Sequence, residues 1–151
     1  MANFKGFNLI ELMISISVLL VLISIAGPAY SSLINNNRFD GVSQEVSMGY
    51  RIARTEAVKT MQTMTLRPLV ANNWNQGFEV IDASNNRIWR SASIAQGITL
   101  SGPAQIAIAA NGALSASANQ QISIQSTPLS QTRNLCVLIG GHGYIKQGSC
   151  S

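Results

Sequence analysis

Few side chains in this 151-residue chain are equipped for chemistry, and their positions restrict them further. His142 is the one histidine, and no aspartate or glutamate occurs anywhere from Ala83 to Ser151. A general base needs a partner that orients it or tunes its pKa, and His142 has no acid near it in sequence. No Gly-x-Ser-x-Gly, phosphate-binding loop or metal-ligand spacing is present, so the chain is expected to be no enzyme and to need no cofactor or metal. The run Gly140-Gly141-His142-Gly143 reads as a turn rather than an oxyanion motif.

Two other features carry more information. Glu11 stands near the start of an apolar run from Phe7 to Ala26. Twenty such residues make about 30 Å of helix, the thickness of a bilayer's hydrocarbon core. An acid there costs roughly 2.5–3.5 kcal/mol near the centre and less toward an end, so Glu11 calls for a positive partner. Lys5 precedes the run, which by the positive-inside bias keeps the leader cytoplasmic and sends the remainder across the membrane. No Ala-x-Ala site follows, so an uncleaved anchor or a special processing class fits better than an ordinary signal peptide.

The second feature is the cysteine pair, Cys136 and Cys150. In an exported domain an even pair suggests a disulfide, worth roughly 3 kcal/mol for a loop of about 15 residues; two free thiols are the alternative. The tract after Asp82 holds Arg87, Arg90, Arg133 and Lys146 amid Ser, Asn, Gln and Ala. Its weak positive field suits either a polyanion or simply a sparsely charged surface.

The elements that position these residues follow from pattern. From Tyr30 to about Met61, apolar or small residues recur at Leu33, Ile34, Phe39, Val42, Val46, Gly49, Ile52, Ala53, Ala57 and Val58, mostly three and four apart. That spacing makes an amphipathic helix continuing the apolar one, about fifty residues in all, with a kink expected at Gly27-Pro28. Beyond Met61 short strands alternate with turns. Thr63–Leu66 is expected to stop at Arg67-Pro68, and 72–75 reads as a loop before the strand at 77–81. Asp82 to Asn86 turns into a returning strand at 87–90. Further strands are expected at 98–100, 106–108, 121–125, 135–139 and 144–146, the last two forming a hairpin whose arms carry the cysteines. The expected class is α+β, with a long helix against an antiparallel β domain.

At Gly6-Phe7-Asn8-Leu9-Ile10-Glu11 the chain resembles the prepilin family. Its members are cut after a glycine, methylated on the next residue, and carry glutamate five residues into the mature chain. Counted from Phe7, Glu11 is fifth and Pro28 is twenty-second, where type IV pilins commonly have proline. The resemblance implies a prepilin peptidase and methyltransferase acting at Gly6 and Phe7, anchorage in the bacterial inner membrane with a periplasmic C-terminal domain, and entry into a filament. Cleavage would place a new ammonium on Phe7. A neighbour's Phe7 ammonium at 4 Å from Glu11 would supply roughly 4 kcal/mol at an effective dielectric near 20, offsetting the acid's burial and setting subunit register.

The remainder resembles the GspH/FimT family of minor pilins and pseudopilins, through Arg51-Ile52-Ala53-Arg54-Thr55-Glu56-Ala57-Val58, Met64-Thr65-Leu66, and Trp74-Asn75-Gln76-Gly77-Phe78-Glu79-Val80. This implies a type IV pilin-like fold in which the N-terminal helix packs on two small antiparallel sheets. The segments are then a leader at 1–6, a membrane and filament-core helix at 7–30, its amphipathic continuation at 31–61, and a β domain at 62–151. Such a protein assembles with other pilins or pseudopilins, either as a minor pilin of a type IV pilus or as the corresponding component of a type II secretion system. An unrelated single-pass membrane protein is the remaining alternative. Some relatives of FimT type bind double-stranded DNA through a Gly-Arg-x-Arg-like segment near the last cysteine. Here Gly143-Tyr144-Ile145-Lys146 keeps the glycine and one charge, so non-sequence-specific DNA binding would draw on Lys146 with Arg133, Tyr144, His142, Arg87 and Arg90.

Overall fold

The computed structural model describes residues 8–150. A single helix, α1, runs over Leu9–Thr60. Eight strands follow: β1 (Met64–Val70), β2 (Asn73–Ile81), β3 (Arg87–Arg90), β4 (Ile98–Ser101), β5 (Ile106–Ile108), β6 (Gln120–Ser126), β7 (Gln131–Val137) and β8 (Gly143–Gln147). The chain divides after Asn36 into two units.

In the first unit α1 opens at Asn8, whose carbonyl oxygen accepts from the N–H of Glu11 at 3.0 Å. Glu11 lies in the first turn, where the helix dipole favours a negative charge. The large apolar side chains from Leu9 to Ile25 are all exposed. Ser15 and Ser17 direct their hydroxyls to the carbonyls of Glu11 and Met13, each at 2.8 Å, so these polar groups are satisfied within the helix. The helix continues unbroken through Gly27-Pro28.

In the second unit the helix turns one stripe inward: Phe39, Val42, Val46, Tyr50, Ala53 and Ala57 are buried, at steps of three and four. Leu33 and Val58, expected on that stripe, are exposed. The helix ends at Met61, whose φ of 54° puts it in the left-handed region while the N–H of Gln62 returns to Ala57 O at 3.2 Å.

The strands form two antiparallel four-stranded sheets, ordered β3-β2-β1-β5 and β4-β6-β7-β8. A core of Phe39, Tyr50, Trp74, Phe78, Ile106, Ile108, Ile122, Ile124 and Leu135 joins helix and sheets. Trp74, Phe78 and Trp89 stack in sequence, with centroids 5.9 Å and 5.7 Å apart.

Four expectations about the strands need correction. β1 does not stop at Arg67-Pro68 but runs through to Val70, with Pro68 opposite Phe78. Its other neighbour, β5, pairs only with Met64–Leu66, so Pro68 sits where that side of the strand is open and no donor is required. β2 begins at Asn73, not after Asn75, because Trp74 is drawn into the core and its Nε1–H donates to Pro103 O at 2.9 Å. β7 starts at Gln131, and Cys150 lies beyond β8 rather than on it.

Candidate functional site: the helix and the last hairpin

Gly6 and Phe7, the expected cleavage and methylation positions, lie outside the described residues. Glu11 is helical and exposed, amid exposed Leu9, Ile10, Leu12 and Met13. Among the described residues from Leu9 to Ile25 no large apolar side chain is buried, as a surface meant for lipid or for other helices requires.

The last hairpin is built by contacts that single-residue patterns do not reveal. Tyr50 on α1 is buried and its Oη–H donates to Gly141 O at 2.9 Å; burial raises its pKa, partly offset by the charge of Arg54. A Cβ at Gly143 would stand 2.3 Å from the Tyr50 ring, and one at Gly141 would stand 1.8 Å from Gly112 O. Arg54 donates through Nε to that same Gly112 oxygen at 3.2 Å. Gly141 and Gly143 are therefore there for close approach: one helix turn, Tyr50 to Arg54, holds both the 111–112 and the 140–143 loops. Cys136 on β7 is joined to Cys150 with Cα atoms 5.6 Å apart, and Asn134 Nδ2 donates to Gly148 O beside it. The terminal segment is tied down at both points.

The residues expected to contact DNA do not share one state. Lys146, Tyr144 and His142 are exposed on or next to β8, an edge strand. Arg133 faces the core side of β7: its guanidinium lies 4.5 Å over the Phe39 ring and bonds the Asp40 carboxylate. Arg87 and Arg90 are on β3 in the other sheet. Arg87 is committed to Glu79 at 2.8 Å, and Arg67 binds the other Glu79 oxygen at 3.0 Å. Burial raises the Glu79 pKa, but hydrogen bonds from Arg87 and Arg67 and their charges outweigh it, so the carboxyl sits below its ordinary value. Arg90 is exposed. Asp40, Glu79, Tyr50 and Arg54 were not singled out by sequence as partners. Arg133 and Asp40 are 93 residues apart, and only the fold brings them together. Among the described residues no group of three or more His, Cys, Asp or Glu could hold a metal ion.

A helix with an exposed apolar first half and an amphipathic second half on two small antiparallel sheets is the architecture of a type IV pilin. The family described as Type II transport protein GspH matches residues 43–143, more than half of the chain. The chain belongs to the GspH family and is a GspH/FimT-like pilin, a structural rather than catalytic protein class. Its fold is similar to that of the type IV minor pilin FimU of Pseudomonas aeruginosa. One crystal form of that protein superposes with a TM-score of 0.64 at 19% identity, over 76% of this chain and 90% of FimU. A second form gives 0.57 at 18% identity, over 73% and 92%. No curated protein matches the sequence.

Proposed function

We propose that this chain is a minor pilin of a type IV pilus. It is made as a prepilin, cut between Gly6 and Phe7, methylated on Phe7, held in the inner membrane by the first half of α1, and drawn into a filament of other pilins. The observation that carries this reading is Glu11 in the first turn of a helix whose apolar side chains from Leu9 to Ile25 are all exposed. A neighbour's Phe7 ammonium is the charge that Glu11 needs, and Pro28 lies where the helix leaves the apolar tract. The test is Glu11→Ala with cleavage and filament incorporation read separately. Cleavage is expected to proceed while incorporation falls several-fold; wild-type incorporation sinks the pairing.

The description of the matched family favours a second reading, a minor pseudopilin of a type II secretion system. Deleting the gene separates the two: loss of surface pili supports the first, loss of exported enzymes with pili intact the second.

DNA binding, if the pilin takes part in uptake, rests on Lys146, Tyr144 and His142 around the exposed β8 edge, with Arg90 as an additional cation. Arg133 and Arg87, held by Asp40 and Glu79, would contribute field rather than direct contacts. Retardation of double-stranded DNA at low salt, lost at high salt and reduced by Lys146→Ala, supports this; no retardation at low salt ends it.

A further inference from the structure

The outer face of the β4–β6 half of the second sheet has a character of its own. Along β6, Ile122, Ile124 and Ser126 are buried, while Gln121, Ser123 and Gln125 point the other way. Register sets Ser101 beside Ser123 and Thr99 beside Gln125. It also sets Gln121 beside Cys136 and Ser123 beside Asn134. Cross-strand partners share a face, so the disulfide to Cys150 and the Asn134–Gly148 bond bring the terminal segment over β7 on this same side. The β4–β6 half stays open. It holds a groove of about 370 Å³ lined by Ser101, Asn119, Gln120, Gln121 and Ser123, with Gly102-Pro103 as its rim.

The groove's chemistry is specific. No charged side chain lines it. An anion would find no cation, and a metal or amine would find no carboxylate, since this half of the chain has none. Ser101, Ser123 and Gln121 offer donors and acceptors together. Asn119 is fixed in orientation because its Oδ1 accepts from the N–H of Ile139 at 3.0 Å. Gln120 borders the groove but alternates with Gln121 and pairs with buried Val137, so its enclosed Oε1 lies on the core side and takes no part in the groove's chemistry. β6 is interior to the sheet and its backbone groups are consumed by β4 and β7, so a peptide adds as a strand only at the outer edge of β4, beside the groove rather than in it. What remains is a neutral ligand that both donates and accepts through paired groups.

We propose that this groove binds a neutral saccharide chain. Vicinal hydroxyls match the adjacent C=O and NH2 of the Gln and Asn amides, serine hydroxyls complete the set, and the C–H faces of the sugar rest on the Gly102-Pro103 rim. This goes beyond the filament reading and does not rest on it. A reporter is built in: the Trp74 indole donates to Pro103 O in the rim, so its signals sense occupancy.

The test uses the full chain in a detergent without a sugar head group, titrated with cello-, chito- and malto-hexaose and, as a charged control, dextran sulfate. Amide and indole NMR shifts are followed with affinity by calorimetry. At least one neutral hexaose is expected to bind at about millimolar Kd, with shifts at Asn119, Gln121, Ser123 and Trp74 Nε1 that do not depend on salt. Gln121→Ala and Ser123→Ala are each expected to weaken binding by about fivefold, the loss of one hydrogen bond at an exposed site, with unchanged thermal melting. Three results overturn the proposal: no shift with any neutral hexaose, binding of dextran sulfate alone with loss at high salt, or hexaose binding that both variants leave intact.

Discussion

The two parts of α1 use the same hydrophobic residues for opposite ends. Before Asn36 apolar side chains cover every face of the helix and all the large ones to Ile25 are exposed; Leu9 is 74% exposed and Ile16, the least so, 49%. After Asn36 polar residues are frequent, yet Phe39, Val46, Ala53 and Ala57 are wholly buried. Periodicity, not hydrophobic content, marks the part that packs on its own domain. Content without periodicity marks the part that must be solvated by something else, lipid or neighbouring helices. A substitution should therefore mean different things on the two sides of Asn36.

The largest contrast is expected from truncating one large side chain in each part. Phe39→Ala removes a fully buried ring and the platform under Arg133, and should cost about 3–5 kcal/mol in denaturant unfolding of the second unit. Leu19→Ala, at a 54% exposed position, should leave that unfolding unchanged. Equal losses from the two would break the comparison.

Next comes the disulfide, which acts on the second unit alone. Cys136→Ser with Cys150→Ser releases a constraint across a sequence separation of 14, worth about 3 kcal/mol. Unfolding with and without reductant should show this loss in the wild type and no reductant effect in the variant. The loss should be accompanied by increased amide exchange in β8, the strand that pairs with the Cys136 strand and leads to Cys150.

Two glycines of α1, eight residues apart, sharpen the comparison inside the packed part. A Cβ at Gly49 would lie 2.8 Å from a Phe78 ring carbon and 3.0 Å from Trp89, so Gly49→Ala should destabilise by about 1–3 kcal/mol. A Cβ at Gly41 meets nothing within 4 Å, so Gly41→Ala should stabilise by about 0.5–1 kcal/mol through helix propensity. Opposite signs in thermal melting are the expected result; the same sign for both would refute the packing assignment.

Much of this was readable beforehand, for reasons that differ by residue. The change from uniform to periodic hydrophobicity shows in composition and spacing, so α1 and its buried stripe from Phe39 to Ala57 were legible. Alternation at Ile122 and Ile124 exposed β6 in the same way. Tyr50 is not legible, because a tyrosine at a buried spacing looks amphipathic and its hydroxyl meets Gly141 O only in the folded chain. The strand through Pro68 was hidden because proline is excluded only where a ladder donor is needed, and that depends on how far β5 extends. The cationic residues were legible as charges but not as free or committed ones. Asp40 and Glu79 decide that for Arg133 and Arg87 through contacts that arise only in the folded chain.

The smallest effect concerns charge and separates the first sheet, which carries ion pairs, from the neutral outer face of the second. Glu79 is buried between Arg67 and Arg87, whose side chains are 38% and 55% exposed. Burial pushes its pKa up, and the two guanidiniums more than reverse this, so the folded value lies below the unfolded one near 4.3. A depressed folded pKa contributes stability that is present above the unfolded value and is lost as pH falls through the folded value. The wild type should therefore lose stability below about pH 4.3, and Glu79→Gln should lose less over the same range. Asp82, whose carboxyl is also lowered by hydrogen bonds from Asn86 and Ser84, contributes to both curves and cancels in the difference. At neutral pH Arg87→Gln should cost only about 1 kcal/mol, because Arg67 remains and the lost partner was half in water. Thermal melts from neutral to acid pH decide it: parallel curves for wild type and Glu79→Gln would mean that Glu79 gains nothing from its arginines.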